Sequence, residues 1–360
     1  MGFQPDEWTP IDSLTIGKYM AFDLGGHWER QAFNYYALQN FDEEKAFELF
    51  PSYPENKPKI IGDDEIDVAS SFADAVIPHA FNGSNNWVVA GDKTENGKPL
   101  LANDPHLGLA TPSIWYQMHL QMDDLNVEGV IFAGVPGNIL GHNEDIAWGV
   151  TNTGPDVQQL YLEKRNKDNP NELLYEDSWE KADVIDEPIK VKDGKTIAYQ
   201  VTETRHGPVI SEFAEESGKD TVMSLRWTAL DATTELQAIL EMNKATNWEE
   251  FEESLESFLA PAQNFVFASK DGTIAYKANG NIPIYENGED TLLLLPGWEK
   301  KHEWKGYIPF DELPTVQNPE KGFIATANNK IAGDDYPYHI SNVWAQPYRY
   351  ERIAEAGSRR

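Results

Sequence analysis

Cysteine is absent from the 360 residues of the chain, which excludes disulfides, thiol catalysis and metal sites with cysteine ligands. The sequence also contains no run of about 18 uncharged apolar residues, so it predicts no transmembrane helix. Basic side chains are scarce: 29 Lys and Arg stand against 60 Asp and Glu, for a formal net charge of −31. Nucleic acids and anionic membranes are recognised through basic patches, so we expect neither as a partner. Residues 1–10 lack a basic stretch followed by an apolar one, so no signal peptide is predicted.

The sequence also lacks the short motifs of several large enzyme classes. It contains no G-x-S-x-G elbow, no H-E-x-x-H helix, no phosphate-binding P-loop and no G-x-G-x-x-G fingerprint. The usual serine hydrolase, zinc protease and nucleotide-binding functions therefore have no support. Apolar residues make up 40% of the chain and include 11 Trp, which is enough for a sizeable core. The length allows one large domain or two to three smaller ones.

The first 50 residues have helical patterning. Residues 9–12, Thr-Pro-Ile-Asp, are typical of a helix start, with a Thr cap and Pro in the first turn. Apolar residues follow at a spacing of four, as in Met20 and Leu24, which places them on one face of that helix. Further helices are predicted over about 28–39 and 42–50, and a cluster of prolines ends this part of the chain.

Patterning typical of β-strands dominates after Ser84. Short apolar runs separated by turn formers predict antiparallel strands. Residues 57–82, before this change, are weakly periodic and are interpreted as a linker, whereas residues from about 165 to 230 are charged and turn-rich and are interpreted as an inserted β subdomain. Helical signals return over Thr234–Lys244 and after Asn247, which is a good helix cap. The predicted fold class is therefore α+β, with helices on either side of antiparallel sheets.

Four local motifs hold the side chains that could carry chemistry. They are Asn-Gly-Ser at 82–84, Asn-Asp-Pro-His at 103–106, Gly-His-Asn at 141–143, and Asn264 at the start of a strand. Taken singly, each pattern is more typical of ordinary structure, because Gly-Ser and Asp-Pro-His are common in turns and a buried Asn usually satisfies backbone groups. His142 is interpreted as a structural turn residue rather than a ligand.

Taken together and in order, these motifs resemble the penicillin acylase family of N-terminal-nucleophile amidohydrolases. The resemblance covers essentially the whole chain. It rests on Gly-Ser-Asn-Asn-Trp from 83, Leu-Leu-Ala-Asn-Asp-Pro-His from 100, Pro-Gly-Asn-Ile-Leu-Gly-His-Asn from 136, Ile-Ala-Trp-Gly-Val-Thr-Asn from 146, and the segments 303–310 and 322–329. It implies a four-layer αββα sandwich with a helical α-chain segment and an inserted β subdomain.

The resemblance also divides the chain. Residues 1–56 correspond to the end of the family's small α chain, residues 57–83 to a linker or spacer peptide, and residues 84–360 to the first part of its large β chain. Because family members are longer at both ends, we expect this sequence to be a fragment, in which α and β chains of the same precursor are partners. The resemblance alone suggests an extracytoplasmic setting, either secreted or periplasmic.

By resemblance, the chain cuts itself between Gly83 and Ser84, and Ser84 becomes the catalytic nucleophile. The free α-amine of Ser84 then acts as the base through a water molecule, and its ordinary pKa of about 7.7 to 8.0 suits that role near neutral pH. While Ser84 is joined to Gly83 its nitrogen is an amide and has no basicity, so cleavage is a chemical requirement. His106 is expected to orient the amine.

Two donors are implied for the oxyanion of the tetrahedral intermediate: the side-chain amide of Asn264 and the backbone N–H of Asn152, with Thr153 as the alternative to Asn152. The predicted function is hydrolysis of a linear amide joining an acyl chain to an amine nucleus of the β-lactam or acyl-homoserine lactone type. Two alternatives stay open. One is a metal-dependent or carboxylate-pair hydrolase, and the other is a catalytically inactive truncated fragment or binding β module.

Five apolar residues line the acyl pocket by resemblance: Met20, Leu24, Leu107, Leu140 and Val150. An apolar stripe is usually plain core, and that interpretation stays open for these residues. None of the five is aromatic, whereas phenylacetyl-selective family members carry Phe at several of these positions. The sequence therefore favours medium aliphatic acyl chains over phenylacetyl.

Family members commonly hold a structural calcium between the two chains. Asp156 matches one acidic ligand and Gln158 would offer its carbonyl oxygen, but Gln159, Ser269 and Arg30 stand where the family has acids, although Glu29 is adjacent to Arg30. Calcium needs several carboxylate or carbonyl oxygens. We therefore expect no structural calcium and no other cofactor requirement.

Overall fold

The computed structural model describes residues 6–25, 28–49, 83–192, 194–210, 221–333 and 335–358. The linker predicted over residues 57–82 lies outside this part of the chain. None of the described helices is long and apolar enough to cross a membrane. The α-helices are α1 (Pro10–Gly25), α2 (Trp28–Asn40), α3 (Glu43–Glu48), α4 (Glu235–Met242), α5 (Trp248–Leu255) and α6 (Tyr348–Gly357).

The β-strands follow one another from Gly83 onward, as the sequence predicts. They are β1 (Gly83–Val89), β2 (Leu100–His106), β3 (Trp115–Met122), β4 (Leu125–Phe132), β5 (Leu140–His142), β6 (Ile146–Asn152), β7 (Gln158–Lys164), β8 (Glu172–Tyr175), β9 (Ser178–Lys181), β10 (Asp183–Asp186), β11 (Gln200–Thr204), β12 (Gly207–Pro208), β13 (Thr221–Trp227), β14 (Gln263–Ser269), β15 (Ile274–Asn279), β16 (Leu295–Pro296), β17 (Thr315–Gln317) and β18 (Phe323–Thr326).

The predicted helix starts are confirmed by local hydrogen bonds. At the start of α1, the backbone N–H and the hydroxyl of Thr9 both donate to Asp12 Oδ2 at 2.7 Å. At the start of α5, the Asn247 side chain accepts a hydrogen bond from the Glu250 N–H at 2.9 Å. Such contacts are short-range in sequence, and an N-cap bond of the Asn247 kind stabilises a helix by about 1 kcal/mol.

Two antiparallel sheets carry the candidate site. The larger has seven strands in the order β17-β15-β14-β6-β5-β4-β3, and the smaller has three in the order β18-β1-β2. An apolar layer between the sheets includes Val88 of β1, Val266 of β14 and Ile324 of β18. The two sheets therefore stack face to face, as in a β-sandwich.

Helices cover the outer face of each sheet. Phe251 of α5 packs against Phe265 and Phe267 of β14, with ring centroids 6.1 and 5.2 Å away. On the other side of the molecule, α6 contacts β1 and β18. The resulting order of helix, sheet, sheet and helix is the αββα sandwich that the resemblance implies.

A third sheet, in the order β13-β7-β16, joins the N-terminal helices to the rest of the molecule. Trp28 and Ala32 of α2 share one apolar cluster with Leu160 and Leu162 of β7. Between β7 and β13, the chain forms the small sheets β8-β9 and β10-β11-β12. β13 pairs with β7 along its whole length, and Ser224 of β13 also bridges to Val209, the residue after β12.

Candidate active site

Ser84 is the second residue of β1, the central strand of the three-stranded sheet. Side chains of a strand alternate between faces, and Ser84 shares its face with buried Asn86 and Val88. Ser84 therefore points into the layer between the two sheets and is only 6% exposed. Its Oγ donates a hydrogen bond to the Gly83 carbonyl oxygen at 2.7 Å, which puts the hydroxyl beside the Gly83–Ser84 peptide bond, the predicted cleavage site.

Asn328 and Arg349 contact the Ser84 backbone. The Ser84 N–H donates to Asn328 Oδ1 at 2.7 Å, and Asn328 Nδ2 donates to the Asn152 carbonyl at 2.9 Å. Arg349 Nη1 donates to the Ser84 carbonyl at 2.5 Å, and Nη2 donates to Asn328 Oδ1 at 2.9 Å. Asn328 has a φ of +61°, a left-handed conformation that Asn adopts more readily than most residues. The Ser84 backbone is thus held by side chains from two distant segments, Asn328 at the nitrogen and Arg349 at the carbonyl.

These contacts give Gly83 a physical reason to be glycine. A Cβ on Gly83 would lie 3.2 Å from Arg349 Nη2 and 3.4 Å from Asn328 Oδ1. The first distance is tighter than an ordinary van der Waals contact, so a side chain at this position would displace the Arg349 guanidinium. Gly83 therefore lets two polar side chains approach the backbone at the cleavage site.

The two candidate backbone donors, Asn152 and Thr153, differ in the direction of their amides. The Thr153 N–H donates to the Ala262 carbonyl, at 3.4 Å, so the Thr153 amide is directed toward β14. Successive residues of a strand direct their amides to opposite sides, so the Asn152 amide points away from β14. The Asn152 carbonyl lies on that same side, where Asn328 donates to it. This geometry favours Asn152 over Thr153.

Asn264 is 1% exposed and also faces the layer between the sheets. Its Nδ2 lies 3.1 Å from Thr151 Oγ1 and 3.4 Å from the Asn152 carbonyl oxygen, while its Oδ1 accepts a hydrogen bond from the Tyr276 hydroxyl at 2.7 Å. Burial raises the pKa of Tyr276, so its hydroxyl remains a donor. The Tyr276 contact therefore fixes which end of the Asn264 amide is directed toward Asn152.

His106 lies beside the cleavage site but on the other face of the sheet. In the pairing of β1 with β2, His106 lies opposite Gly83 and Pro105 lies opposite Ser84. Because side chains alternate along a strand, the His106 and Ser84 side chains project from opposite faces of the sheet. The imidazole Nε2 is 2.8 Å from Asp104 Oδ2 and 3.3 Å from Asn85 Nδ2. The hydrogen bond with His106 lowers the pKa of Asp104. In the uncut chain, the His106 imidazole therefore contacts Asp104 and Asn85 rather than the Ser84 hydroxyl.

An apolar cavity of about 360 Å³ opens beside Ser84. Of the five predicted pocket residues, the structure places Met20, Leu24, Leu107 and Val150 on its wall. Leu140 is not on the wall; the adjacent Ile139 lines the cavity instead, and Leu140 is buried in β5 opposite Val130.

Aromatic side chains complete the cavity wall, contrary to the aliphatic wall inferred from the sequence. Trp115, Phe132, Phe258 and Phe265 all line it. Trp115 and Phe132 stack with ring centroids 4.5 Å apart. They come from strands and a loop that carry none of the five predicted positions. The absence of aromatics at those positions therefore no longer favours aliphatic over aryl acyl groups.

The residues around Asp156 do not fit a calcium site. Asp156 is 5% exposed, and hydrogen-bond donors already surround its carboxylate. Thr291 Oγ1, His339 Nε2 and the Asn342 N–H lie 2.7, 2.6 and 3.2 Å from Oδ2, and Ser341 Oγ lies 3.4 Å from Oδ1. Within the described ranges, no group of three or more His, Asp or Glu residues is arranged to hold a metal. We propose that these hydrogen bonds take the place of the structural calcium that the family resemblance implies.

Gln31 of α2 supplies a direct link between the N-terminal helices and the rest of the chain. Its Nε2 donates to the Gln158 and Thr291 carbonyls at 3.1 and 2.8 Å, and its Oε1 accepts from the Leu160 N–H at 2.7 Å. The Gln158 carbonyl oxygen thus accepts a hydrogen bond from the Gln31 side-chain amide. The contact is buried, so its loss would leave backbone groups unsatisfied at a cost of about 1 to 3 kcal/mol each.

A metal chelator is expected to leave the melting temperature of the protein unchanged, because Asp156 and Gln158 already have protein partners. Gln31→Ala is expected to lower the free energy of unfolding by about 2 kcal/mol or more, since it leaves buried backbone groups without partners. Thermal melts with and without EDTA check both expectations. Gln39→Ala, at an exposed position of the same helix, is the control. A chelator-induced fall in melting temperature that calcium reverses would contradict the proposal.

Sequence reasoning missed several residues of this site. Asn328 lies within a segment that carries the family resemblance, but no pattern assigns its side chain to Ser84. Arg349 lies outside every quoted motif. Both act across long sequence separations: Asn328 lies 244 positions after Ser84, and Arg349 lies 265 positions after it. Such contacts leave no periodic signal in the sequence.

The four layers, with a buried Ser near the start of a central strand, define the fold of the N-terminal-nucleophile hydrolases. Within that class the chain belongs to the penicillin amidase family, which matches residues 1–359. A thermostable penicillin G acylase from Alcaligenes faecalis superposes with a TM-score of 0.68 at 26% identity, covering 77% of this chain and 49% of that chain.

Curated relatives agree with this assignment. The acyl-homoserine lactone acylase QuiP of Pseudomonas fluorescens Pf0-1 is 32% identical over 376 aligned positions, covering 99% of this chain and 46% of the relative. A penicillin acylase 2 proenzyme of Pseudomonas sp. SE83 is 32% identical, covering 77% of this chain and 35% of the relative. Penicillin G acylase of Escherichia coli is 31% identical, and the alignment covers 71% of this chain and 29% of the relative. The chain thus spans less than half the length of these relatives.

Proposed function

We propose that this chain forms the catalytic core of an amidohydrolase that releases an acyl chain from an amine nucleus, with Ser84 as an N-terminal nucleophile. One observation carries the proposal: the Ser84 hydroxyl lies 2.7 Å from the Gly83 carbonyl oxygen while the Ser84 side chain also borders the 360 Å³ apolar cavity. These two observations support the use of one hydroxyl both to cut its own peptide bond and to attack an acyl group in the cavity.

The maturation step follows from that contact. Ser84 Oγ attacks the Gly83 carbonyl carbon, an ester forms, and the bond between the Gly83 carbon and the Ser84 nitrogen breaks. The Oγ proton ends on the nitrogen, which becomes the free amine. Water then hydrolyses the ester, which yields a Gly83 carboxylate and restores the Ser84 hydroxyl. This step needs no group from outside the chain except water.

The acyl-transfer reaction uses the same residues. The Ser84 amine takes the Oγ proton through a water molecule, and Oγ attacks the amide carbon of the substrate. The Asn264 amide and the Asn152 N–H stabilise the oxyanion. The leaving amine takes up the proton and departs, after which water hydrolyses the acyl-Ser84 ester to release the carboxylic acid.

The cavity wall supports an apolar acyl group as the part of the substrate that is recognised. Its volume falls within the range of about 300 to 1,000 Å³ common for small-molecule pockets. The names of the relatives refer to penicillin and acyl-homoserine lactone as substrates. We therefore propose linear amides of these two types, with an aliphatic or aryl acyl chain in the cavity and the amine nucleus outside it.

Acyl amides of increasing chain length on one chromogenic amine test this function. Each added methylene that fits the cavity is expected to contribute about 0.8 kcal/mol, so kcat/KM rises with length until the cavity is full. Leu24→Trp puts a larger side chain on the wall. It is expected to lower kcat/KM for the longest acyl chain at least about tenfold, since overpacking costs about 1 to 3 kcal/mol, and to affect acetyl much less.

Leu240→Trp is the matched control, because Leu240 is exposed on α4 and lies away from the cavity wall. A wild-type protein with no amidase activity would contradict the assignment. So would a Leu24→Trp variant whose kcat/KM falls equally for acyl chains of every length. The same preparation distinguishes the alternatives. A binding β module binds acyl amides without turnover, and a metal-dependent hydrolase loses activity on chelation.

A further inference from the structure

We propose that Thr326, acting through Thr151, holds the Asn264 amide in the orientation that the oxyanion needs. The inference rests on the proposed function, in which Asn264 is an oxyanion donor. The site residues that the family resemblance implies include neither threonine. Both are positioning residues, since neither lines the 360 Å³ apolar cavity in which the acyl group is bound.

The hydrogen bond between the two threonines crosses the layer between the sheets. Thr151 lies on β6 of the seven-stranded sheet, opposite Asn264 of β14. Thr326 lies on β18 of the three-stranded sheet, which also carries Ser84. The two Oγ1 atoms are 2.8 Å apart, and the residues are 1% and 7% exposed. This buried bond therefore joins the sheet of the nucleophile to the sheet of the oxyanion donor.

The order of donors along this chain of hydrogen bonds follows from the chemistry of the amide. An amide nitrogen only donates, so Thr151 Oγ1 accepts from Asn264 Nδ2, which is 3.1 Å away. The Thr151 hydroxyl then donates to Thr326 Oγ1, because the reverse order would leave this buried proton without an acceptor among the described residues. The chain of donors therefore runs from Asn264 through Thr151 to Thr326.

The Asn264 amide is held at two points. The Tyr276 hydroxyl donates to Oδ1 at 2.7 Å, and Thr151 accepts one of the two Nδ2 hydrogens. In the part of the chain that the structure describes, the acceptor nearest to the second hydrogen is the Asn152 carbonyl, at 3.4 Å, which is long for a hydrogen bond. The second N–H is therefore the one available to the oxyanion, and Thr151 determines its direction.

Packing alone does not restrain this amide. A second cavity, of about 190 Å³, borders Asn264, and its wall also includes Tyr276 and Thr326. A side chain next to open space lacks the close neighbours that fix one orientation in a packed core. Hydrogen bonds must therefore supply the fixed orientation. A donor that is aimed in advance is effective because it needs no reorientation when the oxyanion forms.

Asn103 of β2 supplies a separate link between the two sheets. Its Nδ2 donates to the Val150 carbonyl at 2.8 Å, and its Oδ1 accepts from the Val150 N–H at 3.2 Å. The backbone of β6 therefore stays attached to the three-stranded sheet when the bond between the threonines is lost. Loss of that bond is expected to change the direction of the Asn264 amide more than it changes the fold.

Thr326→Val keeps the approximate size of the side chain but removes the acceptor of the Thr151 proton. Because the Asn264 amide then loses its fixed direction, kcat is expected to fall about tenfold, a part of the 10²-fold or more that loss of the whole donor causes. KM is expected to stay unchanged, because Thr326 does not line the apolar cavity. Thr326→Ser keeps the hydroxyl and is expected to retain kcat within about twofold of wild type.

The experiment uses the complete expressed polypeptide, with the amount of free Ser84 N-terminus measured for each variant so that kcat refers to cleaved enzyme. The matched control is Thr202→Val, because Thr202 is also 7% exposed but lies on β11 and lines neither cavity. Thr326→Val is also combined with Asn264→Ala. If Thr326 acts through the amide, the double variant has the kcat of Asn264→Ala alone. Should Thr326→Val fail to fold, Thr151→Val breaks the same chain of hydrogen bonds from the other sheet.

A fall in kcat at constant KM in Thr326→Val, absent from Thr326→Ser, from the control and from the Asn264→Ala background, supports the inference. An unchanged kcat in Thr326→Val, a Ser variant that falls as far as Val, or an equal further fall in the Asn264→Ala background overturns it. The two proposals fail separately. A wild type with neither a Ser84 N-terminus nor amidase activity removes the proposed function, whereas an active, cleaved wild type whose kcat Thr326→Val leaves unchanged removes only the role of Thr326.

Discussion

Ser84→Ala is expected to leave the polypeptide uncut at Gly83 and to lower amide hydrolysis by on the order of 10⁴-fold or more, the scale for loss of a catalytic nucleophile. The physical reason is the same for both effects. The Ala side chain has no oxygen to attack the Gly83 carbonyl carbon, so no free amine forms. It also has no oxygen to attack the substrate, so neither nucleophile nor base is present.

The fold is expected to tolerate this change. The Ser84 hydroxyl is buried, but its hydrogen bond goes to the adjacent Gly83 carbonyl rather than to a distant element. Intact mass and N-terminal sequencing check the cleavage, and a thermal melt checks the fold. Ser178→Ala, at an exposed position of β9, is the control and is expected to be cut normally. A Ser84→Ala chain cut at the same bond would show that a separate protease makes the cut.

Asn264→Ala is expected to lower kcat by about 10²- to 10³-fold, the usual effect of losing one oxyanion donor. The change removes an amide whose Nδ2 lies 3.4 Å from the Asn152 carbonyl, beside the predicted backbone donor. It also leaves the buried Tyr276 hydroxyl without its acceptor, which costs about 1 to 3 kcal/mol of stability. A fall in melting temperature therefore accompanies the loss of turnover.

Tyr276→Phe separates the two effects. It breaks the same hydrogen bond to Asn264 Oδ1 but keeps the Asn264 amide, so it is expected to lower stability while kcat falls far less than in Asn264→Ala. Turnover is measured per cleaved active site at saturating substrate, and stability by thermal melting. If Asn264→Ala keeps a kcat within about threefold of wild type, Asn264 is not an oxyanion donor, because such a donor contributes about 10²-fold or more.

The match between prediction and structure depends on the range of the interactions. The starts of α1 and α5 depend on contacts three residues apart, such as Thr9 with Asp12 and Asn247 with Glu250. Those contacts are readable from residue type and spacing alone.

The cavity wall shows where a one-dimensional pattern fails. Its predicted positions were aliphatic, and four of them do line the cavity. Trp115 and Phe258 reach the same cavity from β3 and from the loop after α5, segments whose proximity depends on sheet order. Chain position says nothing about that order, so the aromatic part of the wall could not be predicted.

By itself the sequence determined that the chain is acidic and free of cysteine, and that helices precede strands with the change at Gly83-Ser84. These are properties of composition and of short-range spacing. Only the tertiary structure decided that Arg349 and Asn328 hold the Ser84 backbone and that hydrogen-bond donors such as Thr291 surround Asp156. Those contacts join segments more than 100 residues apart, and only the packing of sheets and helices brings them together.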